Sequence, residues 1–550
     1  VNRRLRTLAI PLVQTTLLAI GAVGLPVLAD EGRLNGLLVD AARVPESVSY
    51  YRRLIDFCKE WGLNALVFRL ADDQGLAVRF PSHPELITHQ NALTPAQARD
   101  LAEYAQRRGI ELIPEIESFG HTGYITRVPR YAALLDRDPK SEAFSGLVPV
   151  DPRARSLIAD LYRDAASMFP SRYLHGGCDE VNSGGSKQSR QALKMKGRAE
   201  IWAEYLNALD EAARSLGREF IIWGDHVLRK EPEILDRLNK DIIVWDWDYW
   251  TNDPAEIEKT ARKALAGGFR VIGGPALSWC KWGPRAGTEQ LRNIDAYADG
   301  YRRIDDPRCL GVIVTNWLPS RYIQGSMWDG LAYGAIAVQQ GSAVARDSAF
   351  RLFAQRHYGA RWSDVWANIF RTPYDIVANR KSCAPSWMGP PLPVAWSNAK
   401  ELAAVLHAGL HDAPPFTRLL SQLALVEPGV RRNLADFGAF KLSLEYLQQL
   451  CWRNTSVVEQ AQHSEDHEAA AALIRAIAER DRRLSKALEA DWDSGRPADS
   501  PIKAQLLYDC EPEDQLLFRF GQAARFSAQL AGQPERFWSA LDAARAAEVR

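Results

Sequence analysis

The chain has 550 residues, 46% of them hydrophobic and 25% charged, with Lys+Arg and Asp+Glu equal at 68 each. That is ample material for a buried core and excludes a disordered or collagen-like chain. Without a basic excess, nucleic acid is not expected as the principal partner, and a neutral or weakly charged substrate fits better.

In chain order, Arg3, Arg4 and Arg6 come first and lead into an almost uncharged run from Leu8 to Leu28, which closes on Val27-Leu28-Ala29 ahead of Asp30-Glu31. This is the order of a secretory signal peptide over residues 1–29, so export to the periplasm or beyond is expected. A run of about 20 residues also suits an uncleaved N-terminal anchor. No later stretch reads as membrane-spanning. Cys58, Cys178, Cys280, Cys309, Cys383, Cys451 and Cys510 form no C-x-x-C and no zinc-finger spacing, so neither a disulfide framework nor a structural metal is expected.

After residue 30, short apolar runs alternate with amphipathic segments, the pattern of a parallel α/β sheet. Eight runs are predicted as strands: Leu34 to Val39, Asn64 to Leu70, Ile110 to Pro114, Tyr173 to Gly177, Glu219 to Trp223, Asp241 to Trp245, Arg270 to Gly273 and Leu310 to Thr315. Thr94-Pro95, Asp151-Pro152 and Asp253-Pro254 each pair a capping side chain with a proline suited to a first helical turn. The strand count and spacing predict a (β/α)8 TIM barrel over residues 30–342, with an open doubly wound sheet as the alternative. No G-x-G-x-x-G or P-loop follows any strand, so no nucleotide cofactor is expected. Strand signals stop near residue 343, and no proline occurs between Pro428 and Pro497, so residues 343–550 read as an α-helical C-terminal domain.

In a barrel, the residues after each strand face the substrate. Here they are Asp40, Asp72-Asp73, Glu115 with Glu117 and His121, Cys178-Asp179-Glu180, Asp225-His226, Asp246 with Asp248, and Asn316-Trp317. Carboxylates therefore crowd one rim. Trp223, Trp245, Trp247, Trp250, Trp279, Trp282, Trp317 and Trp328 cluster in the same part of the chain. Indoles pack on the C–H faces of sugar rings while carboxylates bind their hydroxyls, so the combination points to carbohydrate chemistry.

The run Tyr173-Leu174-His175-Gly176-Gly177-Cys178-Asp179-Glu180-Val181 resembles the H-x-G-x-D-E-V signature of glycoside hydrolase family 20, the β-N-acetylhexosaminidases, and especially their hexosaminidase D-like branch. Asn35 to Arg43, Ile113 to His121, Trp223 to Arg229 and Val314 to Trp317 resemble the family's first, third, fifth and eighth strands. The resemblance implies removal of β-linked N-acetylhexosamine from an amino-sugar glycan or glycoconjugate, without cofactor or metal. The substrate's own 2-acetamido oxygen is then the nucleophile. It further implies that Glu180 is the general acid/base and that Asp179 orients the acetamido group. His121 and His175 are expected to orient the two acids, and Asp40, Glu115, Trp223, Asp225, Trp245, Tyr249 and Trp317 to bind substrate.

Three positions depart from the family pattern. Asn35 stands where an Arg that grips ring hydroxyls is usual, with Arg33, Arg43 and Arg69 as possible replacements. The usual Tyr near strand 7 has no counterpart, leaving Tyr249 as the candidate. The Glu of Trp-x-Glu is missing from Trp317-Leu318-Pro319. Three other readings stay open: a non-catalytic sugar-binding barrel, a retaining glycosidase with Glu115 or Asp225 as nucleophile, and a metal hydrolase built on His121, His175 and His226.

Overall fold

A computed structural model of the chain describes residues 33–137, 146–279, 285–378, 413–463, 467–496 and 516–533, with Glu535 and Ser539. The expected signal peptide, Cys280, Trp282, Cys383 and Cys510 lie outside the described residues.

Eight parallel strands pair in chain order: β1 (Leu34–Val39), β2 (Ala65–Arg69), β3 (Glu111–Glu115), β4 (Tyr173–His175), β5 (Glu219–Trp223), β6 (Ile243–Trp247), β7 (Arg270–Gly274) and β8 (Cys309–Asn316). β1 pairs with β8 from Leu34↔Gly311 to Val39↔Asn316, which closes the sheet into a barrel and excludes the open doubly wound alternative. Side-chain alternation builds two layers. Leu34, Leu38, Val67, Ile113, Ile221, Ile243, Ile272 and Ile313 fill the barrel interior. Leu37, Val39, Leu66, Phe68, Leu112, Ile222, Val244 and Val314 point outward under the helices.

The enclosing helices are α1 (Val48–Glu60), α2 (Pro95–Gln106), α3 (Pro152–Met168), α4 (Arg198–Ser215), α5 (Pro254–Ala266), α6 (Thr288–Arg302) and α7 (Trp328–Gln340). The three predicted caps are made. Thr94 and Gln97 form a reciprocal capping box, and the side chains of Asp151 and Asp253 accept from the Arg153 and Ala255 N–H groups. Between β5 and β6 there is no regular helix, only a π turn (Asp225–Lys230) and a 3-10 turn (Pro232–Arg237). A three-stranded sheet of Ala71–Asp72, Gly75–Val78 and Thr88–Leu93 follows β2; its strands are too short to leave a periodic signal in the sequence.

Beyond α7 the described chain is helical: α8 (Ser342–Arg356), α9 (Asp364–Ala378), α10 (Ala413–Val426), α11 (Leu434–His463), α12 (His467–Gly495) and α13 (Leu516–Gly532). Its apolar core is continuous with that of the barrel: Phe353, Trp366, Phe370, Phe437 and Phe440 belong to one cluster with Trp61 and Trp328. No described helix is long and apolar enough to cross a membrane.

Candidate active site

The Asp179-Glu180 pair lies at the C-terminal end of β4, but not on the strand. The strand stops at His175, and the chain turns through left-handed backbone at Gly177 (φ 67°), Cys178 (75°) and Glu180 (46°). Among the described residues, four of the five non-glycine positions with positive φ (His121, Cys178, Glu180 and Leu318) belong to this rim. Such backbone costs energy and persists only where its surroundings fix it.

Neighbouring loops supply that fixing. The Gly177 N–H donates to His175 Nδ1 (2.9 Å) and the Cys178 N–H to Glu117 Oε2 (3.1 Å). The Glu180 N–H donates to Asp225 Oδ2 (3.3 Å) and the Val181 N–H to His226 Nε2 (3.0 Å). Residues after β3 and β5 thus hold the turn after β4 from both sides. A Cβ at Gly177 would collide with the Glu117 carboxyl. Gly177→Ala is therefore expected to lose about 1–2 kcal/mol to the left-handed backbone alone, and more by displacing Glu117; a urea melt read beside activity checks this.

His121 connects the two acids. Its Nε2 lies 3.2 Å from Glu180 Oε2 and 3.8 Å from Asp179 Oδ2, and its Nδ1 lies 3.1 Å from Asp73 Oδ2. Burial alone favours a neutral ring, but the charge of Asp179 and the hydrogen bonds to Asp73 and Glu180 outweigh it and raise the His121 pKa well above its usual value. Burial likewise pushes Glu180 up, and the His121 hydrogen bond and charge, with Arg43 and Lys230, bring it below the usual carboxylate range. Both shifts favour the proton on His121 over Glu180. Burial holds Asp179 above the usual range despite His121 and Arg69. The Glu180 side chain is 39% exposed and faces the opening, whereas that of Asp179 is 11% exposed. Asp179 Oδ1 is buried without a hydrogen-bond partner.

His121, Asp179 and Glu180 also bring ligand-type atoms within 4.8 Å of one another. The expected grouping of His121, His175 and His226 does not form. His226 Nε2 is used by Val181, and its pKa is pushed down to about 4 by burial. His175 is wholly buried against the Trp223 and Trp245 rings. It braces the turn at Gly177 rather than orienting either carboxyl group, which corrects the role expected for it.

Beneath the pair lies an ion cluster that the sequence did not reveal. Buried Arg69 faces Asp72 (2.6 Å), Glu117 (2.9 Å), Glu115 (3.6 Å) and Asp40 (4.0 Å), and Arg43 spans Asp40 (3.0 Å) and Asp72 (3.1 Å). Burial raises Glu115 to about 7 against the pull of Arg69, and raises Glu117 further with the help of the Asp179 charge. Burial also pushes Asp72 up, but Arg43 and Arg69 prevail and hold it well below the usual range.

Several residues expected to contact substrate are also engaged within the fold. Asp40 is fully buried and accepts from Arg43 and the Leu318 N–H (3.0 Å). Glu115 is fully buried and accepts from Trp223 Nε1 (3.0 Å). Asp225 is buried and ion-paired with Lys230 (2.6 Å). Arg69 is enclosed by carboxylates, and Arg33 donates to the Ile304 carbonyl near the opposite end of β1. Asn35 shares the strand parity of outward-facing Leu37 and Val39, away from the barrel interior.

The aromatic residues divide by depth. Trp245 is fully buried and packs 4.5 Å from Trp223, forming a floor with His175 rather than a contact surface. Above it, Trp317 Nε1 donates to the Tyr249 hydroxyl (2.8 Å), and Tyr249 stacks on Trp279 (5.7 Å). Burial raises the Tyr249 pKa, and the hydrogen bonds with Thr315 and Trp317 offset only part of that rise. Trp250 is 58% exposed beside Tyr249. Trp328 lies outside the mouth, in the core between α1 and α7 with Tyr50 and Phe57.

Residues 34–280 match the family described as glycosyl hydrolase family 20, catalytic domain. The chain is 25% identical over 250 residues to a beta-hexosaminidase of Vibrio furnissii, covering 39% of this chain and 40% of that protein. It is 32% identical over 165 residues to a beta-N-acetylhexosaminidase of Cellulomonas fimi, covering 27% of this chain and 33% of that protein. The chain thus spans less than half the length of either relative. A solved exo beta-N-acetylglucosaminidase from Vibrio harveyi aligns with a TM-score of 0.43 at 21% identity, covering 57% of this chain and 53% of that one.

Proposed function

We propose, from the match of residues 34–280 to glycoside hydrolase family 20, that the protein releases β-linked N-acetylhexosamine from an amino-sugar glycan, with retention and with the substrate's acetamido oxygen as nucleophile. The observation that carries this reading is Asp179 Oδ1. It is a buried acceptor without a partner, beside an acid that faces the opening. A buried acceptor left unpaired is costly and calls for a donor. An acetamido N–H supplies one and turns the carbonyl oxygen toward C1.

The steps balance with the residues present. The acetamido oxygen bonds to C1 as the glycosidic C–O bond breaks, and Glu180 protonates the departing oxygen. Its proton comes from His121 Nε2, 3.2 Å away, once the bound sugar removes water from Glu180 and raises its proton affinity. Asp179 balances the charge of the oxazolinium ring. Water then bonds to C1 as the bond from C1 to the acetamido oxygen breaks, Glu180 takes the water proton, and its return to His121 Nε2 restores the starting state. Asp73 holds the other side of His121 throughout. Tyr249 and Trp317 are assigned to the sugar-facing wall.

Glu115 and Asp225, the alternative nucleophiles, are both buried, and each has one carboxylate oxygen engaged, by Trp223 Nε1 and by Lys230. A panel of nitrophenyl glycosides tests the proposal. The β-N-acetylglucosaminide or galactosaminide is expected to turn over at least about 10³-fold faster than the plain β-glucoside, which lacks the internal nucleophile. A thiazoline analogue of the oxazolinium is expected to bind more tightly than the free sugar. Comparable turnover of the glucoside with indifference to the thiazoline would overturn substrate assistance, and sugar binding without turnover would favour a lectin-like role.

A further inference from the structure

Among the described residues, one guanidinium of the helical half engages two loops of the barrel mouth at once. Arg496, the residue after α12, is buried; its Nε lies 3.1 Å and 3.0 Å from the two carboxylate oxygens of Glu46, and its Nη2 donates to the Pro319 carbonyl (2.9 Å). The guanidinium also stacks on Trp492, 3.4 Å from the ring centroid. Glu46 belongs to the β1–α1 connection and Pro319 to the β8–α7 connection. These are the loops on either side of the seam where the barrel closes.

Other contacts run along the same seam. Val44 packs with Trp492 and Leu517. The Leu516 N–H donates to the Ser320 carbonyl (3.0 Å). Ile323 packs with Leu484, Leu488, Leu516 and Phe520.

Both loops carry side chains of the site. The first carries Asp40 and Arg43, the second Trp317 and Leu318. They meet through the Leu318 N–H on Asp40 Oδ2 (3.0 Å) and through Arg43 over the Trp317 ring (5.7 Å). Trp317 in turn holds the Tyr249 hydroxyl. A buried ion pair is weak evidence for stability, because desolvation offsets most of the attraction and apolar packing serves as well. What a forked guanidinium adds is geometry: it fixes a carboxylate and a carbonyl in one plane.

We propose that Arg496 is a positioning residue for the candidate active site, setting the β1–α1 and β8–α7 loops through Glu46 and Pro319 so that Arg43 and Trp317 wall the sugar, which makes the helical half part of the catalytic unit. The kinetic arm of this inference rests on the amino-sugar hydrolase reading; the structural arm does not.

The test compares the full-length wild type with Arg496→Ala, Arg496→Lys and Glu46→Gln. Ile477→Ala serves as a control: it is a buried position in α12 about five turns from Arg496. All are assayed on a nitrophenyl β-N-acetylglucosaminide at a temperature where circular dichroism reports each fully folded. Arg496→Ala is expected to lose tenfold or more in kcat/KM, and Arg496→Lys to recover part of it. Hydrogen exchange is expected to quicken at residues 40–46 and 317–322, and not at β4. Ile477→Ala is expected to lower the melting temperature while leaving kcat/KM unchanged. Unchanged kinetics and exchange in Arg496→Ala, or kinetics indistinguishable from those of Ile477→Ala, would overturn the proposal. If Arg496→Ala does not fold, Arg496→Lys and Glu46→Gln decide it in the same way. If the wild type cleaves no glycoside, the catalytic reading fails and the exchange at the two loops still decides the placement of Arg496.

Discussion

Glu180→Gln is expected to slow hydrolysis of a β-N-acetylhexosaminide whose leaving group is another sugar by about 10²–10⁴-fold, the usual contribution of general acid–base catalysis. Glutamine keeps the volume and a hydrogen-bond acceptor toward His121 but can neither deliver nor take a proton. With a nitrophenol leaving group, which departs without protonation, ring closure to the oxazolinium is expected to survive in larger part. The loss then shifts to the second step, where water must be deprotonated, and azide added as a nucleophile that needs no base is expected to restore turnover. Equal losses with both leaving groups and no rescue by azide would remove Glu180 from the acid/base role. Since both pKa shifts favour the proton on His121, its own replacement, His121→Asn, is expected to resemble Glu180→Gln in sign.

The barrel was legible because its signals are local. The eight apolar runs lie within one or two residues of the observed strands, and the proline-marked caps at Thr94, Asp151 and Asp253 state their helices outright. The acid pair was legible as a motif. Its geometry was not, since positive φ at Cys178 and Glu180 is imposed by Glu117, Asp225 and His226, which lie 61, 45 and 45 positions away in the paired contacts. The Arg69 cluster escaped for a related reason: Asp40, Asp72, Glu115 and Glu117 each read as a rim acid, and only the barrel's curvature turns them onto one guanidinium. Counting tryptophans failed to separate a floor (Trp245) and a helix core (Trp328) from a mouth (Trp317), because an indole suits all three. Arg496 and Glu46 are 450 positions apart, and no local pattern joins them.

Asp179→Asn is expected to cost about 10²–10³-fold in kcat, the range found when one preorganised electrostatic contact to a transition state is removed. The amide still fits and can accept from an acetamido N–H, but it no longer balances the positive charge that develops on the oxazolinium ring. Binding of a neutral thiazoline analogue is expected to weaken far less than that of its protonated form. The pH dependence follows from burial. Asp179 is active as the carboxylate and its pKa is raised, so wild-type kcat/KM is expected to fall with decreasing pH while still above the ordinary carboxylate range, and Asp179→Asn to lose that limb. Stability moves the other way. An acid with a raised folded-state pKa binds its proton more readily when folded, so its contribution is full below the unfolded value and is lost as pH rises through the folded value. At neutral pH the buried Asp179 charge therefore destabilises the fold, and Asp179→Asn is expected to raise the melting temperature while it removes activity, a trade seen where a site is strained for function. A variant that melts lower and hydrolyses as well as wild type would show that Asp179 supports the turn and has no part in the chemistry.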